Sequence, residues 1–323
     1  MILPKRLKKG DHVRVIAPAE SLSPKFKEPL RQRGIDRLKE LGLEVSFGKY
    51  VNEPGPFKSA IREHRLKDLH EAFEDDTVDA VISANGGSSA NQLLKHLDYE
   101  LIKKKPKIFC GLSDITELTS AIHAKTGLVT YYGPHFTMLG ASEHLGHVLK
   151  NMKKCFFSEE SFEVQNSEYF SNSEWEKELI LNEGFWTINE GEVEADCLGG
   201  NMLTLNFLLG YEFIPDIAGK ILFLEENHLI DYRGIQKELQ QILNHPQGSK
   251  IKGLLIGRFQ RESKMNRKLL EDMIKSKEEL SGIPVVGNVN CSHTIPMSTF
   301  PFGGRLKFSA KKGDKVRIEI IKH

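Results

Sequence analysis

Apolar residues in the first half of the chain follow two alternating spacings. Short runs of consecutive apolar residues, typical of buried strands, are separated by stretches in which apolar residues recur every three or four positions, as on one helical face. The predicted strands are Val13–Pro18, Leu43–Phe47, Val78–Ser83, Lys107–Gly111 and Leu128–Tyr132. Alternating strands and helices predict a parallel, doubly wound α/β sheet, whose ligand crevice lies at the carboxyl ends of the strands.

The pattern changes after about residue 155. The stretch to about residue 190 is polar, with scattered aromatic residues and no sustained period, which predicts a connector with a loop. Beyond it, a helix is expected after Gly199-Gly200. Four further strands are predicted, at Lys220–Glu226, Ile251–Gly257, Ile283–Gly287 and Val316–Ile321.

Length and composition narrow the possible functions. A chain of 323 residues exceeds the usual size of one hydrophobic core and predicts two domains. Its net charge of +1 gives no electrostatic footprint for a nucleic acid polymer or an anionic membrane. Neither a signal peptide nor an apolar run long enough to span a membrane is expected. The cysteines lack metal or redox spacing, which favours idle thiols in a reducing cytoplasm and predicts no bound metal: Cys110, Cys155, Cys197 and Cys291.

The stretch around Ser113 is the first candidate for chemistry. It begins as a strand, turns at Gly111, presents Ser113 and continues as a predicted helix. A serine on a strand-to-helix turn is where α/β hydrolases hold their nucleophile, although the second glycine of their usual motif is missing here. Serine is also a favoured helix N-cap, so this stretch alone leaves both interpretations open.

A serine nucleophile needs a base and a carboxylate that orients the base. His293 lies in a loop after a predicted strand, and loops on a rigid scaffold often carry catalytic groups. Glu225 and Glu226 end an apolar strand, so one of them should point into the crevice. Two solvated carboxylates at a strand end are the alternative.

Two further features bear on the site. Gly86 and Gly87 follow the third strand, where a backbone N–H group can bind an oxyanion together with that of Asp114; a simple tight turn is the alternative. Trp175 lies in the polar connector, where an aromatic ring can stack on a planar ligand, whereas Trp186 is expected in the core.

Ordered motifs over nearly the whole chain resemble the LD-carboxypeptidase family of serine peptidases, which includes the microcin-C immunity proteins. The shared motifs are Lys9-Gly-Asp, Val15-Ile-Ala-Pro18, Arg65-x-x-Asp-Leu-His-x-Ala-Phe73, Gly86-Gly87, Leu93-Leu-x-x-Leu-Asp-Tyr-x-x-Ile102, Pro106-Lys-x-x-x-Gly-x-Ser-Asp-x-Thr116, Thr126-Gly-Leu-x-Thr-Tyr-Tyr-Gly-Pro134, Gly199-Gly-Asn201, Leu222-Phe-Leu-Glu-Glu226 and His293-Thr-x-Pro296.

The resemblance implies a triad of Ser113 as nucleophile, His293 as base and acid, and Glu225 as the residue that orients His293. It also implies an oxyanion hole formed by backbone N–H groups, those of Gly86 or Gly87 and of Asp114. No metal or other cofactor is implied.

The resemblance further implies a flavodoxin-like N-terminal domain joined to a smaller β-rich C-terminal domain, with the active site at their junction. We place the nucleophile domain at residues 1–155, the connector with its substrate loop at 156–190, and the domain that carries Glu225 and His293 at 191–323. Members of the family are typically cytoplasmic homodimers.

Two departures from the family pattern indicate a branch. Ser292 stands where the family usually has glycine before the histidine. The aromatic residue that follows Gly-Gly in muropeptide-cleaving members is absent, so the chain resembles the immunity-protein branch. That branch carries a tryptophan loop that stacks on the adenine of its substrate, and Trp175 occupies a suitable place. Asn201 is a further candidate for substrate contact in either branch.

The sequence therefore predicts a serine hydrolase that cleaves an amide bond in peptidyl- or aminoacyl-nucleotide amides. A muropeptide LD-carboxypeptidase is the nearest alternative. A non-catalytic flavodoxin-like binding module is a second alternative, and an amidotransferase-like enzyme with Cys110 as nucleophile is a third.

Overall fold

The fold was analysed in a computed structural model that describes residues 1–22, 26–141 and 143–323. Its strands are β1 (His12–Ile16), β2 (Glu44–Phe47), β3 (Ala80–Ser83), β4 (Ile108–Gly111), β5 (Thr130–Tyr132), β6 (Phe162–Glu163), β7 (Tyr169–Phe170), β8 (Ile180–Leu181), β9 (Trp186–Asn189), β10 (Gly191–Asn201), β11 (Ile221–Glu225), β12 (Gly253–Gly257), β13 (Val285–Val289), β14 (Phe300–Phe302), β15 (Arg305–Ala310) and β16 (Arg317–Lys322). Its α-helices are α1 (Leu30–Glu40), α2 (Arg62–Glu74), α3 (Tyr99–Lys104), α4 (Thr116–Thr126), α5 (Phe136–Ala141), α6 (Gly146–Phe157), α7 (Met202–Asn206), α8 (Tyr232–Asn244) and α9 (Arg267–Lys275).

The first sheet confirms the predicted flavodoxin-like architecture. Its strands lie in the order β14-β5-β4-β3-β1-β2, and β1 to β5 are parallel. This is the 2-1-3-4-5 order of doubly wound flavodoxin-like sheets. The strand β14, from late in the chain, was not predicted. It pairs antiparallel with β5, with Phe300 opposite Tyr132.

The second sheet confirms the β-rich second part of the chain. Its order is β6-β16-β15-β10-β11-β12-β13-β9, with parallel pairing from β10 to β13 and antiparallel pairing on either side. Because β11 and β13 run parallel, the segments that carry Glu225 and His293 leave the sheet at the same edge. The predicted domain boundaries at residues 155 and 190 stay predictions.

Gly199 and Gly200 lie inside a strand, although the sequence predicted that a helix follows them directly. They belong to β10, and the helix that follows, α7, has only five residues. A Cβ atom on Gly199 would lie 1.8 Å from the carbonyl oxygen of Phe223, and one on Gly200 would lie 2.6 Å from Oγ1 of Thr116. Only glycine therefore lets β10 pack this closely against β11 and the start of α4.

Aromatic side chains join the two sheets in one core. Phe223 of β11 packs against Phe300 of β14 with ring centroids 5.2 Å apart, and against Tyr132 of β5 at 5.9 Å. All three residues are fully buried. In the part of the chain that the structure describes, no helix has the length and apolar character needed to cross a membrane.

We expect Phe300→Ala to lower the free energy of unfolding by about 3–5 kcal/mol, because it opens a cavity between the two sheets. Urea unfolding measures the change. Phe57→Ala is the matched control: Phe57 is 70% exposed, so its truncation should alter the free energy of unfolding by less than about 0.5 kcal/mol. Equal losses in the two variants would contradict the packing described here.

Candidate active site

Ser113 lies on a strained turn between β4 and α4. It begins a short 3₁₀ turn, Ser113–Ile115, and its φ angle is +63°. This left-handed conformation is uncommon for a residue with a side chain and is a feature of strained functional turns. The N-cap of α4 is Ile115, so Ser113 is not the cap of that helix. The geometry therefore favours the strand-to-helix turn of a nucleophile over the helix-cap interpretation.

The loop of Gly86 and Gly87 lies directly against Ser113. A Cβ atom on Gly86 would be 3.0 Å from the Cβ of Ser113 and 3.5 Å from its Oγ. Gly87 has a φ angle of +151°, and a Cβ there would be 2.8 Å from Cγ of Glu20. The backbone N–H of Glu20 donates to the Gly86 carbonyl at 3.0 Å. This loop therefore runs between Ser113 and the segment after β1, and a side chain on either glycine would disturb it.

Asp114 fixes the end of this loop to the turn that carries Ser113. Its buried carboxylate accepts the backbone N–H groups of Ser89 at 2.8 Å and Ala90 at 2.9 Å. Arg65 donates to the carbonyls of Ser89 and Pro18, which ties the same loop to the segment after β1. Burial raises the pKa of Asp114 although these two backbone donors and Arg65 oppose the change. The side chain of Asp114 is thus a structural anchor, which leaves its backbone as the predicted oxyanion donor.

Glu225 and His293 form a buried hydrogen-bonded pair. Nδ1 of His293 lies 2.6 Å from Oε2 of Glu225, which is completely buried. Burial opposes protonation of His293, but the charge and hydrogen bond of Glu225, with the charges of Glu174 and Glu226, outweigh it and raise the pKa of His293. A carboxylate on Nδ1 leaves Nε2 as the nitrogen that can exchange a proton with a hydroxyl.

Tyr132 connects this pair to Ser113. Its hydroxyl donates to Oε1 of Glu225 at 2.6 Å and accepts the backbone N–H of Ser113 at 3.4 Å. Burial raises the pKa of Tyr132 well above its ordinary value, and the charge of Glu225 adds to the effect, so the phenol is a donor to the carboxylate. The structure therefore brings the predicted nucleophile, acid and base together in one chain of hydrogen bonds. The sequence predicts a strand at Tyr132 and includes this residue in a shared motif, but it assigns Tyr132 no role in the site.

Glu226 is buried as well, so the alternative of two solvated carboxylates at the strand end does not apply. Its carboxylate accepts the side-chain amide of Asn201 at 2.8 Å and the backbone N–H of Leu203 at 3.0 Å. Burial and the neighbouring charge of Glu226 raise the pKa of Glu238, on α8, to about 9. This second carboxylate thus serves the packing of α7 and α8.

Asn201 bridges the two glutamates. Its amide donates to Glu225 at 3.2 Å as well as to Glu226, and its Oδ1 caps α7 through the backbone N–H of Thr204. The side chain is buried. The structure thus places Asn201 behind Glu225, and its predicted contact with substrate stays a prediction.

His135 is a second histidine beside the site, which the sequence did not single out. Its Nδ1 accepts the backbone N–H of Met138 at 3.2 Å, so the neutral ring carries its proton on Nε2. Burial and the nearby His293 lower the pKa of His135 to about 3. Its place directly after Gly133-Pro134 at the end of β5 was the available signal, because loops there line the crevice.

The connector folds onto the loop that carries His293. Ser171 and Ile295 form an antiparallel bridge with two backbone hydrogen bonds, of 2.6 and 3.0 Å. Trp175, four residues after Ser171, is 57% exposed. The structure thus places the predicted stacking residue on a segment attached to the His293 loop. Trp186 lies in β9 and is half-buried.

The alternative with Cys110 as nucleophile finds no geometry to support it. Cys110 is completely buried in β4, and burial raises its pKa well above the ordinary value, which disfavours the reactive thiolate. Residues 1–22, 26–141 and 143–323 contain no group of three His, Cys, Asp or Glu side chains arranged to hold a metal ion.

Comparison with known proteins identifies relatives over the whole chain. The model of the LD-carboxypeptidase N-terminal domain matches residues 13–133, and that of the LD-carboxypeptidase C-terminal domain matches residues 194–308. YocD of Bacillus subtilis, a protein that is named as a carboxypeptidase, is 41% identical over 98% of this chain and 99% of that protein. A second Bacillus subtilis relative, named a probable murein peptide carboxypeptidase, is 34% identical over 94% of this chain and 90% of its own length.

Solved structures agree with these matches. The crystal structure of an MccF-like protein from Bacillus anthracis superposes with a TM-score of 0.97 at 41% identity, over the full length of both chains. MccF in complex with glutamyl sulfamoyl guanosine superposes with a TM-score of 0.89 at 25% identity, over 99% of this chain and 98% of that one.

We expect Gly86→Ala to slow labelling of Ser113 by a serine-directed phosphonate by about a hundredfold, the size of losing one oxyanion donor. The added methyl group would displace either the loop or the Ser113 side chain, because the two Cβ atoms would be 3.0 Å apart. Gly146→Ala is the control, since a Cβ there meets nothing within 4 Å. An unchanged labelling rate in Gly86→Ala would contradict the close approach of the Gly86 backbone to Ser113.

We expect Tyr132→Phe to slow the same labelling by about tenfold or more, as for loss of a hydrogen bond to a charged group. Labelling should fall as pH drops, because protonated His293 cannot act as a base, with a midpoint above the ordinary histidine pKa of about 6.5. Without the phenol donor, Glu225 should hold the imidazolium more strongly and move the midpoint to still higher pH.

Tyr131→Phe is the matched control for this experiment. Tyr131 is equally buried, but its hydroxyl accepts from Arg6 at 2.9 Å and lies outside the Glu225 network. The rate and midpoint should stay unchanged in that variant. A similar shift in both tyrosine variants would show that packing, and not the bond to Glu225, is responsible.

Proposed function

The chain belongs to the LD-carboxypeptidase family, and we propose that it is a serine hydrolase that cleaves an amide bond through an acyl-enzyme. The observation that carries this proposal is the chain of hydrogen bonds from the backbone of Ser113 through Tyr132 and Glu225 to His293. It joins the strained turn of Ser113 to a buried carboxylate and to a histidine whose Nδ1 is engaged, so that Nε2 of His293 is left to act as the base.

In the first step, Nε2 of His293 takes the hydroxyl proton as Ser113 attacks the amide carbonyl. The C–O bond forms, the carbonyl π electrons move to oxygen, and the resulting oxyanion is held by backbone N–H groups of the Gly86-Gly87 loop and Asp114. The intermediate collapses as the C–N bond breaks, and His293 gives its proton to the leaving amine. Water then attacks the acyl-enzyme with His293 again as base, which releases the carboxylic acid and restores Ser113.

Glu225 stays ionised throughout this sequence. It holds the imidazole with Nδ1–H toward its own Oε2 and stabilises the imidazolium that forms. Three neighbouring groups support it: the Tyr132 hydroxyl, the Asn201 amide and His293 itself.

For the substrate we propose peptidyl- or aminoacyl-nucleotide amides, as in the immunity-protein branch. The exposed Trp175 on a connector attached to the His293 loop supports this assignment, because an exposed indole face can stack on a nucleobase. The structural similarity to MccF, solved with glutamyl sulfamoyl guanosine, agrees with it.

Hydrolysis of murein peptides is the second candidate. It is favoured by the relative named a probable murein peptide carboxypeptidase, at 34% identity. The catalytic steps would be the same, and only the groups around the scissile bond would differ. A cytoplasmic location and a homodimer, both usual in the family, complete the proposal.

The substrate test is a panel that pairs an aminoacyl sulfamoyl adenosine with a murein tetrapeptide. We expect hydrolysis of the aminoacyl compound and little release of D-alanine from the tetrapeptide. We expect Ser113→Ala to abolish turnover, by at least about a thousandfold, while nucleotide binding persists.

Two results would overturn parts of this proposal. Turnover that survives in Ser113→Ala would exclude the serine mechanism, and preferential cleavage of the tetrapeptide would replace the substrate class. A chain that neither hydrolyses the panel nor reacts with a serine-directed phosphonate would be a non-catalytic binding module. Cys110→Ala is the control variant, and its activity should match that of the unaltered chain.

A further inference from the structure

A carboxylate of the connector, outside the triad, lies near enough to His293 for its charge to favour the protonated imidazole. It belongs to Glu174, on the connector residue that precedes Trp175. The bridge between Ser171 and Ile295 places this part of the connector over the His293 loop, three residues before Glu174 and two residues after His293.

The connector holds Glu174 on a fixed turn. The Ser171 hydroxyl donates to the carbonyls of Ser173 at 3.2 Å and Glu176 at 2.7 Å. Asn172 is buried and accepts the backbone N–H of Arg261 at 2.8 Å. Glu174 thus lies between Asn172 and Glu176, which are both anchored to Arg261.

Glu174 lacks the basic partner that the next two acidic residues of the connector have. Glu176 and Glu178 both pair with Arg261, at 3.1 and 2.9 Å. Within the described part of the chain, no Lys or Arg nitrogen lies within 4.0 Å of the Glu174 carboxylate. Burial raises the pKa of Glu174, while a hydrogen bond from its own backbone N–H, the charge of His293 and a hydrogen bond from the Trp175 side chain oppose the rise. A partly desolvated carboxylate of this kind gains most from a cationic partner.

We propose that Glu174 binds the free α-ammonium group of the substrate residue whose carbonyl is attacked. The inference rests on the proposed function and makes it more specific. In an aminoacyl amide, the α-ammonium is one carbon away from the scissile carbonyl, and that carbonyl must lie within reach of Ser113 and His293. The group that fits beside His293 and opposite a carboxylate is therefore this ammonium.

The other parts of a nucleotide substrate fit this position less well. A sulfamoyl or phosphoryl group is anionic and would be repelled by Glu174. A peptidyl substrate has an amide in place of the ammonium and offers Glu174 a single neutral N–H. Glu174 thus selects aminoacyl substrates over peptidyl substrates. It also selects against murein tetrapeptides, in which the α-nitrogen of the residue whose carbonyl is attacked is acylated.

The test compares an aminoacyl sulfamoyl adenosine with its N-acetyl derivative. For the unaltered chain we expect kcat/KM to be at least about tenfold higher for the free amine, the size of one charge-assisted hydrogen bond. Glu174→Gln should lose most of this preference, through a fall of about tenfold for the free amine and less than about twofold for the acetylated compound. Glu174→Asp, which keeps the charge, should retain part of the preference.

Glu178→Gln is the matched control, because Glu178 lies on the same connector but pairs with Arg261. Its kcat/KM values should equal those of the unaltered chain for both compounds. An equal fall in kcat/KM for both compounds in Glu174→Gln would show that Glu174 acts through His293, and would overturn the proposal. The proposal would also be overturned if kcat/KM did not fall in Glu174→Gln, or if Glu178→Gln showed the same loss. Failure of the proposed function would look different, since the unaltered chain would then hydrolyse neither compound.

Discussion

The buried charge of Glu225 is the constraint on which the rest of the site depends. A carboxylate removed from water is stable only when nearly all of its hydrogen-bonding capacity is used. Here one oxygen accepts from His293 and the other from Tyr132 and Asn201. Each donor comes from a different part of the fold: β5, the end of β10 and the loop after β13. The need to satisfy one carboxylate therefore fixes where both sheets meet.

The first sheet could be predicted from the sequence because its strands are buried on both faces and appear as uninterrupted apolar runs. The strand β14 escaped prediction because it is three residues long and contains Pro301, which is tolerated only at a sheet edge. The prediction of a helix directly after Gly199 and Gly200 was wrong for a related reason. Their role is a close approach to Phe223 and Thr116, and residues so distant in sequence leave no local pattern.

The candidate site also combines residues that could be predicted from the sequence with residues that could not. Ser113 and the two glycines were accessible to sequence reasoning, because turn chemistry is local and the resemblance supplied their roles. The hydroxyl of Tyr132 could not be predicted, since its partners lie 19 residues back and 93 residues ahead in the chain. The same holds for Glu226, whose burial follows from the packing of α7 and α8. Pairings over such distances become visible only in the folded structure.

The antiparallel pairing of β14 with β5 has a consequence for synthesis of the chain. On a ribosome, β5 is complete more than 160 residues before β14 emerges. At typical elongation rates, the edge of the first sheet therefore stays uncovered for roughly ten to thirty seconds. An unpaired strand edge is a template for association with other chains. The nascent first sheet thus passes through an interval in which its β5 edge is open to association with other chains.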